Sequence, residues 1–170
     1  KPFVCKSVKI GNQTWMADNL DVDHFRNGDP IREAKTIEEW NSDEPAWCYG
    51  NNDPKNGKIY NAAAIRDPRG LAPEGWHIPT YNEFVTLVDF AQPKIVALKK
   101  QIENAENSGI STSEMNKKLL TMEKESNPDN AVHKLKTTTG WEYNKNGSNI
   151  LGFNGKPSWS RDHLSRFQDN

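Results

Sequence analysis

Apolar residues come in short patches between turn formers along this chain, and the clearest patch is a helical one. Phe84, Leu87, Val88 and Ala91 recur at the spacing of one helix face. Thr80 stands just ahead of them and three residues before Glu83. In that pattern the threonine hydroxyl accepts from the Glu83 amide while the glutamate carboxylate reaches back to the Thr80 amide, so a helix begins there. The preceding loop is punctuated by Pro68, Gly70, Pro73 and Gly75, and Pro79 fixes φ beside the cap. Trp76 and Ile78 are the natural cover for the stripe. Trp76, His77, Pro79, Thr80 and Glu83 therefore read as a structural keystone, a loop-to-helix hinge, and His77 as a loop residue rather than a general base.

The other patches predict small elements. Residues 4–10 alternate imperfectly, Gly11-Asn12 makes a turn, and residues 13–16 return, which describes a hairpin with Trp15 in the core. Thr36 and Glu39 repeat the capping pattern ahead of Trp40. Residues 46–49 look like a strand and 50–57 like a polar turn. Residues 59–65 suit either a strand or a small helix, and a tight loop followed by a helical turn is the expectation. Over 93–129 the character changes: Ile95, Leu98, Ile102 and Ala105 form one stripe, Met115, Leu119 and Met122 a second, with Ser108-Gly109 between them. This predicts an inserted helical hairpin, its second helix capped by Ser111 or Ser113 and ended before Pro128. Beyond it, Leu135, Trp141, Ile150, Leu151, Phe153 and Trp159 are core candidates, and 144–149 is a polar turn region.

Composition narrows the functional classes. The 170 residues suit a single domain with one core. Only 34% are hydrophobic and the mean hydropathy is -0.90, so six Trp, six Phe and four Tyr predict an aromatic rather than aliphatic core. A net charge of -1 supplies no basic field, which argues against nucleic acid as a partner. No apolar run reaches the roughly 18 residues of a transmembrane helix. The start at Lys1-Pro2, without Met, suits a trimmed or processed chain. Cys5 and Cys48 fit one disulfide or two thiols equally well. Asp21, Asp23 and Asp29 bring calcium to mind, but neither the glycine nor the terminal glutamate of an EF-hand loop falls in place. They read as solvated turn aspartates, and no cofactor is expected.

No catalytic set emerges. His24, His77, His133 and His163 are scattered, and neither cysteine sits in a signature that implies a lowered pKa. Loop-rich scaffolds with aromatic cores carry recognition residues on surface loops. The candidate contact residues are Asn51, Asn52 and Asp53 in one loop, Tyr143 and Asn146 in a second, and Trp159 and Arg161 in a third.

Several motifs in order carry a family resemblance. VKIGNQTWMADNL, FRNGDPI with EEW, WCYGNNDPKNGKIYNAAAIRDPRGLAPEGWHIPTYNEF, and KLKTTTGW followed by GF resemble the Fibrobacter succinogenes major paralogous domain of Bacteroidetes surface and secreted proteins. The match spans nearly the whole chain outside 93–129. GWHIPT through Glu83 is also similar to a signature of formylglycine-generating-enzyme-like proteins. The resemblance implies an α+β, C-type-lectin-like domain over 1–170, loop-rich, with short helices and small antiparallel sheets. NGKIYNAAA departs from the family's YGRLYNW-like string. The chain also ends before the family's WWSS-like and GFSVRC-like strands, which leaves residues 4–10 as an expected open sheet edge. The function implied is a non-catalytic, secreted or cell-surface adhesion module, lipoprotein-like, that recognises a protein or glycan. Two alternatives stand beside it: a structural subunit completed by a partner strand or by self-association, and an enzyme of the formylglycine-generating class.

Overall fold

The computed structural model describes residues 4–124, 126–138 and 146–155. They belong to two compact units, one built on Asn19–Pro79 and the other on Lys6–Asp18 with Thr80–Lys156.

In the second unit, Gly11 sets how the chain turns. Its φ of 59° is left-handed while Asn12 keeps a negative φ, which makes Gly11-Asn12 a Gly-first turn of the II′ kind. Strand β1 (Ser7–Ile10) thereby pairs antiparallel with β2 (Gln13–Met16), with Val8 opposite Trp15. The expected hairpin forms, three residues shorter at its start. A side chain on Gly11 would meet the Phe90 ring at 2.9 Å.

Helix α3 (Tyr81–Ala91) begins at the Thr80 capping box as expected. Leu87 and Ala91 are buried with Ile10, Ala131 and Leu135, and Val8, Trp15, Val88, Leu151 and Phe153 pack around them. Trp15 and Phe153 meet edge to face, 5.7 Å apart. The stripe is thus covered by the hairpin and by α6 (Ala131–Leu135), not by the expected Ile78, which is itself exposed. Phe84, at the near end of the stripe, is 49% exposed, and Ile150, a core candidate, is 72% exposed. Trp141 and Trp159 lie outside the described residues.

The inserted hairpin is present as α4 (Pro93–Asn107) and α5 (Ser113–Met122). Pro93 takes the first helical position, where no N–H is required. Ile95, Leu98, Ile102 and Met122 are buried against Met115 and Leu119 in a cluster of their own. Neither Ser111 nor Ser113 caps α5. Thr112 is the cap residue, and its hydroxyl turns away to donate to Glu106 and accept from Asn116.

In the first unit, β4 (Ala46–Tyr49) lies between β3 (Arg32–Glu33) and β5 (Lys58–Tyr60). β5 pairs antiparallel, but β3 pairs parallel, because α1 (Ile37–Trp40) carries the chain back before β4 starts. The expectation of purely antiparallel sheets is corrected at this pair. Thr36 and Glu39 form the expected capping box on α1. Residues 58–66 hold both a strand and a helix, β5 and then α2 (Ala62–Arg66), with Asn61 between. Phe25, Ile31, Trp47, Ala64 and Leu71 form one buried cluster, and Ala34, Trp40, Ala46 and Cys48 another. Among the described residues, the buried aromatic side chains, Phe25, Trp40 and Trp47, stand in this unit, while the buried hydrophobic side chains of the second unit are aliphatic apart from Met122. Cys5 is half-buried and Cys48 buried, and no disulfide joins them.

Candidate functional site

The 50–57 loop, which carries Asn51, Asn52 and Asp53, is built on the end of β4 and β5, where Tyr49 lies opposite Lys58. Two successive 3₁₀ turns, Gly50–Asn52 and Pro54–Asn56, make it up. Its base is closed by the Gly50 amide donating to Gly57 O at 3.1 Å. Inside, the Asp53 amide donates to Gly50 O and the Gly57 amide to Pro54 O. The Asp53 carboxylate accepts from the Lys55 amide at 3.0 Å. Asn52 holds a left-handed φ of 55°, a conformation that asparagine tolerates better than other side chains do. Asn52, Pro54 and Lys55 are exposed, and Asp53 is half-buried.

The strands below the loop are pinned by charge and aromatic contacts. The Lys58 ammonium lies 2.7 Å from Asp21 Oδ1 and 4.8 Å from the centroid of the Trp47 ring. Trp47 and Tyr49 meet edge to face at 5.2 Å. The Tyr60 hydroxyl accepts from the Val22 amide and donates to Val22 O, both at 2.8 Å. Burial, chiefly, pushes the Tyr60 phenol above its ordinary range, so it stays protonated.

Asn61 joins these elements from within. Its Oδ1 accepts from the Ala46 and Ala64 amides, and its Nδ2 donates to Trp40 O and Glu44 O. All four hydrogen-bonding positions of that buried amide, two lone pairs and two N–H groups, are thereby used.

The loop before α3 is held by two arginines. Arg26 donates from Nε to Ala72 O and from Nη2 to Trp76 O. Arg69 makes a two-pronged pair with Asp67, at 2.9 and 2.8 Å, reaches Asp29 at 3.2 Å and lies 4.2 Å over the Phe25 ring. The hydrogen bond from Arg69 lowers the Asp67 pKa to about 2. Asn27, and then Arg69, lower that of Asp29.

Of the keystone residues, Thr80 and Glu83 form the cap, with the Thr80 amide 2.8 Å from Glu83 Oε2 and the Glu83 amide 3.3 Å from Thr80 Oγ1. Trp76 is half-buried and serves through its backbone, while His77 and Pro79 are exposed. Asp21, Asp23 and Asp29 engage Lys58, His24 and Arg69 respectively. No group of three or more His, Cys, Asp or Glu side chains that could hold a metal stands among the described residues. Asn146 is exposed and belongs to the second unit. Tyr143, Trp159 and Arg161 lie outside the described residues.

Sequence reasoning missed Asn61, Arg26 and Arg69. Asn61 directly before three alanines is an N-cap signal, and Asp67-Pro-Arg-Gly is a turn signal, but the distant partners of all three leave no local trace.

A family model described as the Fibrobacter succinogenes major domain matches residues 8–170. The chain belongs to that family. The match starts inside β1, and the loops and caps described above fall within it. No curated protein and no solved structure matches the chain. Among the described residues of this Fibrobacter succinogenes major domain, no helix is long and apolar enough to cross a membrane.

Proposed function

We propose that this domain is a non-catalytic binding module of a secreted or cell-surface protein, with a C-type-lectin-like arrangement, and that it recognises a protein or glycan through the 50–57 loop. The observation that carries the reading is the construction of that loop. Its backbone is bonded to itself at four points, three between main-chain groups and one from Asp53, and it stands on strands pinned by Lys58, Trp47 and Tyr60. A loop ordered before binding loses little conformational freedom on meeting a partner. Asn52 and Lys55 then supply amide and ammonium donors, and Asn52 an amide acceptor, which suit the hydroxyls of a sugar or the carbonyls of a peptide. The non-catalytic part of the proposal draws on Asp21, Asp23, Asp29 and Asp67, whose carboxylates are taken up by Lys58, His24 and Arg69 in contacts that hold turns and strands. The test is to probe a saccharide array and an array of secreted and cell-surface proteins with the labelled chain, with and without calcium. Reproducible binding to a defined sugar or protein is expected, and binding to neither array contradicts the proposal.

A further inference from the structure

Four Asn-Gly dipeptides lie in this chain: Asn27-Gly28, Asn56-Gly57, Asn146-Gly147 and Asn154-Gly155. Such a pair is chemically labile because glycine leaves the following backbone nitrogen sterically open. Hydroxide removes the glycine amide proton, the nitrogen adds to the asparagine Cγ, and the bond from Cγ to the side-chain nitrogen breaks, releasing ammonia. Water then opens the resulting succinimide at either carbonyl, leaving aspartate or isoaspartate.

All four nucleophilic amides are occupied in the fold. Gly28 N donates to Phe25 O at 2.9 Å, Gly57 N to Pro54 O at 3.1 Å, Gly147 N to Thr137 O at 2.8 Å and Gly155 N to Leu135 O at 2.9 Å. A donated N–H must break its hydrogen bond before its nitrogen can ionise and turn toward Cγ. The side chains of Asn27 and Asn154 are held as well. Asn27 accepts from the Asp29 amide through Oδ1 and donates to the Asp29 carboxylate through Nδ2, each at 3.0 Å. Asn154 donates from Nδ2 to Ala17 O at 3.0 Å.

We infer that the fold holds its four Asn-Gly dipeptides closed to succinimide formation, so that deamidation proceeds only through local opening. At Asn27 and at Asn154, conversion acts back on the structure. At each, a side-chain donor facing an acceptor-only group is replaced by a carboxylate, which places oxygen against oxygen. At Asn27 the new charge faces Asp29, whose carboxylate also receives Arg69. An opened and converted molecule is then easier to open again.

The full chain and four short peptides, each carrying one dipeptide in its own flanking sequence, are incubated side by side at mildly alkaline pH. Aspartate and isoaspartate are counted at each site by mass spectrometry. All four sites are expected to convert at least about tenfold more slowly in the folded chain, the factor given by a local opening cost of about 1.4 kcal/mol. A smaller slowing at any of the four sites overturns the inference.

Discussion

Asn61 shows what a single buried amide does in this molecule. It satisfies two amides and two carbonyls contributed by α1, the turn after it, β4 and α2. Asn61→Ala leaves all four without that partner, and unpaired buried polar groups are costly, so urea unfolding should show a loss on the order of 3 kcal/mol. The Arg69 cluster makes a prediction about acid. Asp67 and Asp29 have folded pKa values below the ordinary aspartate value, so their stabilisation is complete above about pH 4 and is lost as pH falls below it, for Asp67 through about 2. The melting temperature should drop across that window in the wild type. In Arg69→Met it should begin lower and drop less, and equal drops would show that the pair does not supply the acid sensitivity. These roles were largely hidden in the sequence. The capping partner of Asn61 stands three residues away and could be read, but its other three partners stand 15 to 21 residues away.

At the scale of elements, legibility follows the same rule of distance. Thr36 with Glu39, and Thr80 with Glu83, were readable because both partners of each box sit within one helical turn. The spacing of Ile95, Leu98 and Ile102 predicted α4 for the same reason. What covers a stripe is not local, and so Ile78 was expected where Ile10 and Leu135 are found. The parallel pairing of β3 with β4 was missed because a two-residue strand has too little pattern to read. Since the helical hairpin buries its own cluster, damage there should stay there. Ile102→Ala should remove about 2–5 kcal/mol from that cluster. Hydrogen exchange should accelerate in α4 and α5 while the β4 and β5 amides keep their protection. Equal acceleration in those strands would show that the hairpin does not open as a unit of its own.

For the whole molecule, family membership was the most legible property, because its motifs are contiguous strings spread over the matched residues 8–170. The division of the core was the least legible. Aromatic residues are plentiful in both units, yet among the described residues those that are deeply buried lie in the Asn19–Pro79 unit, while Tyr81, Phe84 and Phe90 on α3 stay exposed. Burial is decided by which faces meet, and composition does not report that. The central claim, recognition through the 50–57 loop, turns on side chains whose backbone is already fixed. Asn52→Gly removes the amide while keeping a residue that adopts a left-handed φ readily, and Lys55→Ala removes the ammonium, with the melting curve of the doubly substituted chain checking that it folds. The decisive measurement is the binding of both chains to whichever sugar or protein the arrays identify. The account predicts at least about a tenfold weaker dissociation constant for the substituted chain, equivalent to about 1.4 kcal/mol. Equal binding by the two chains would contradict it.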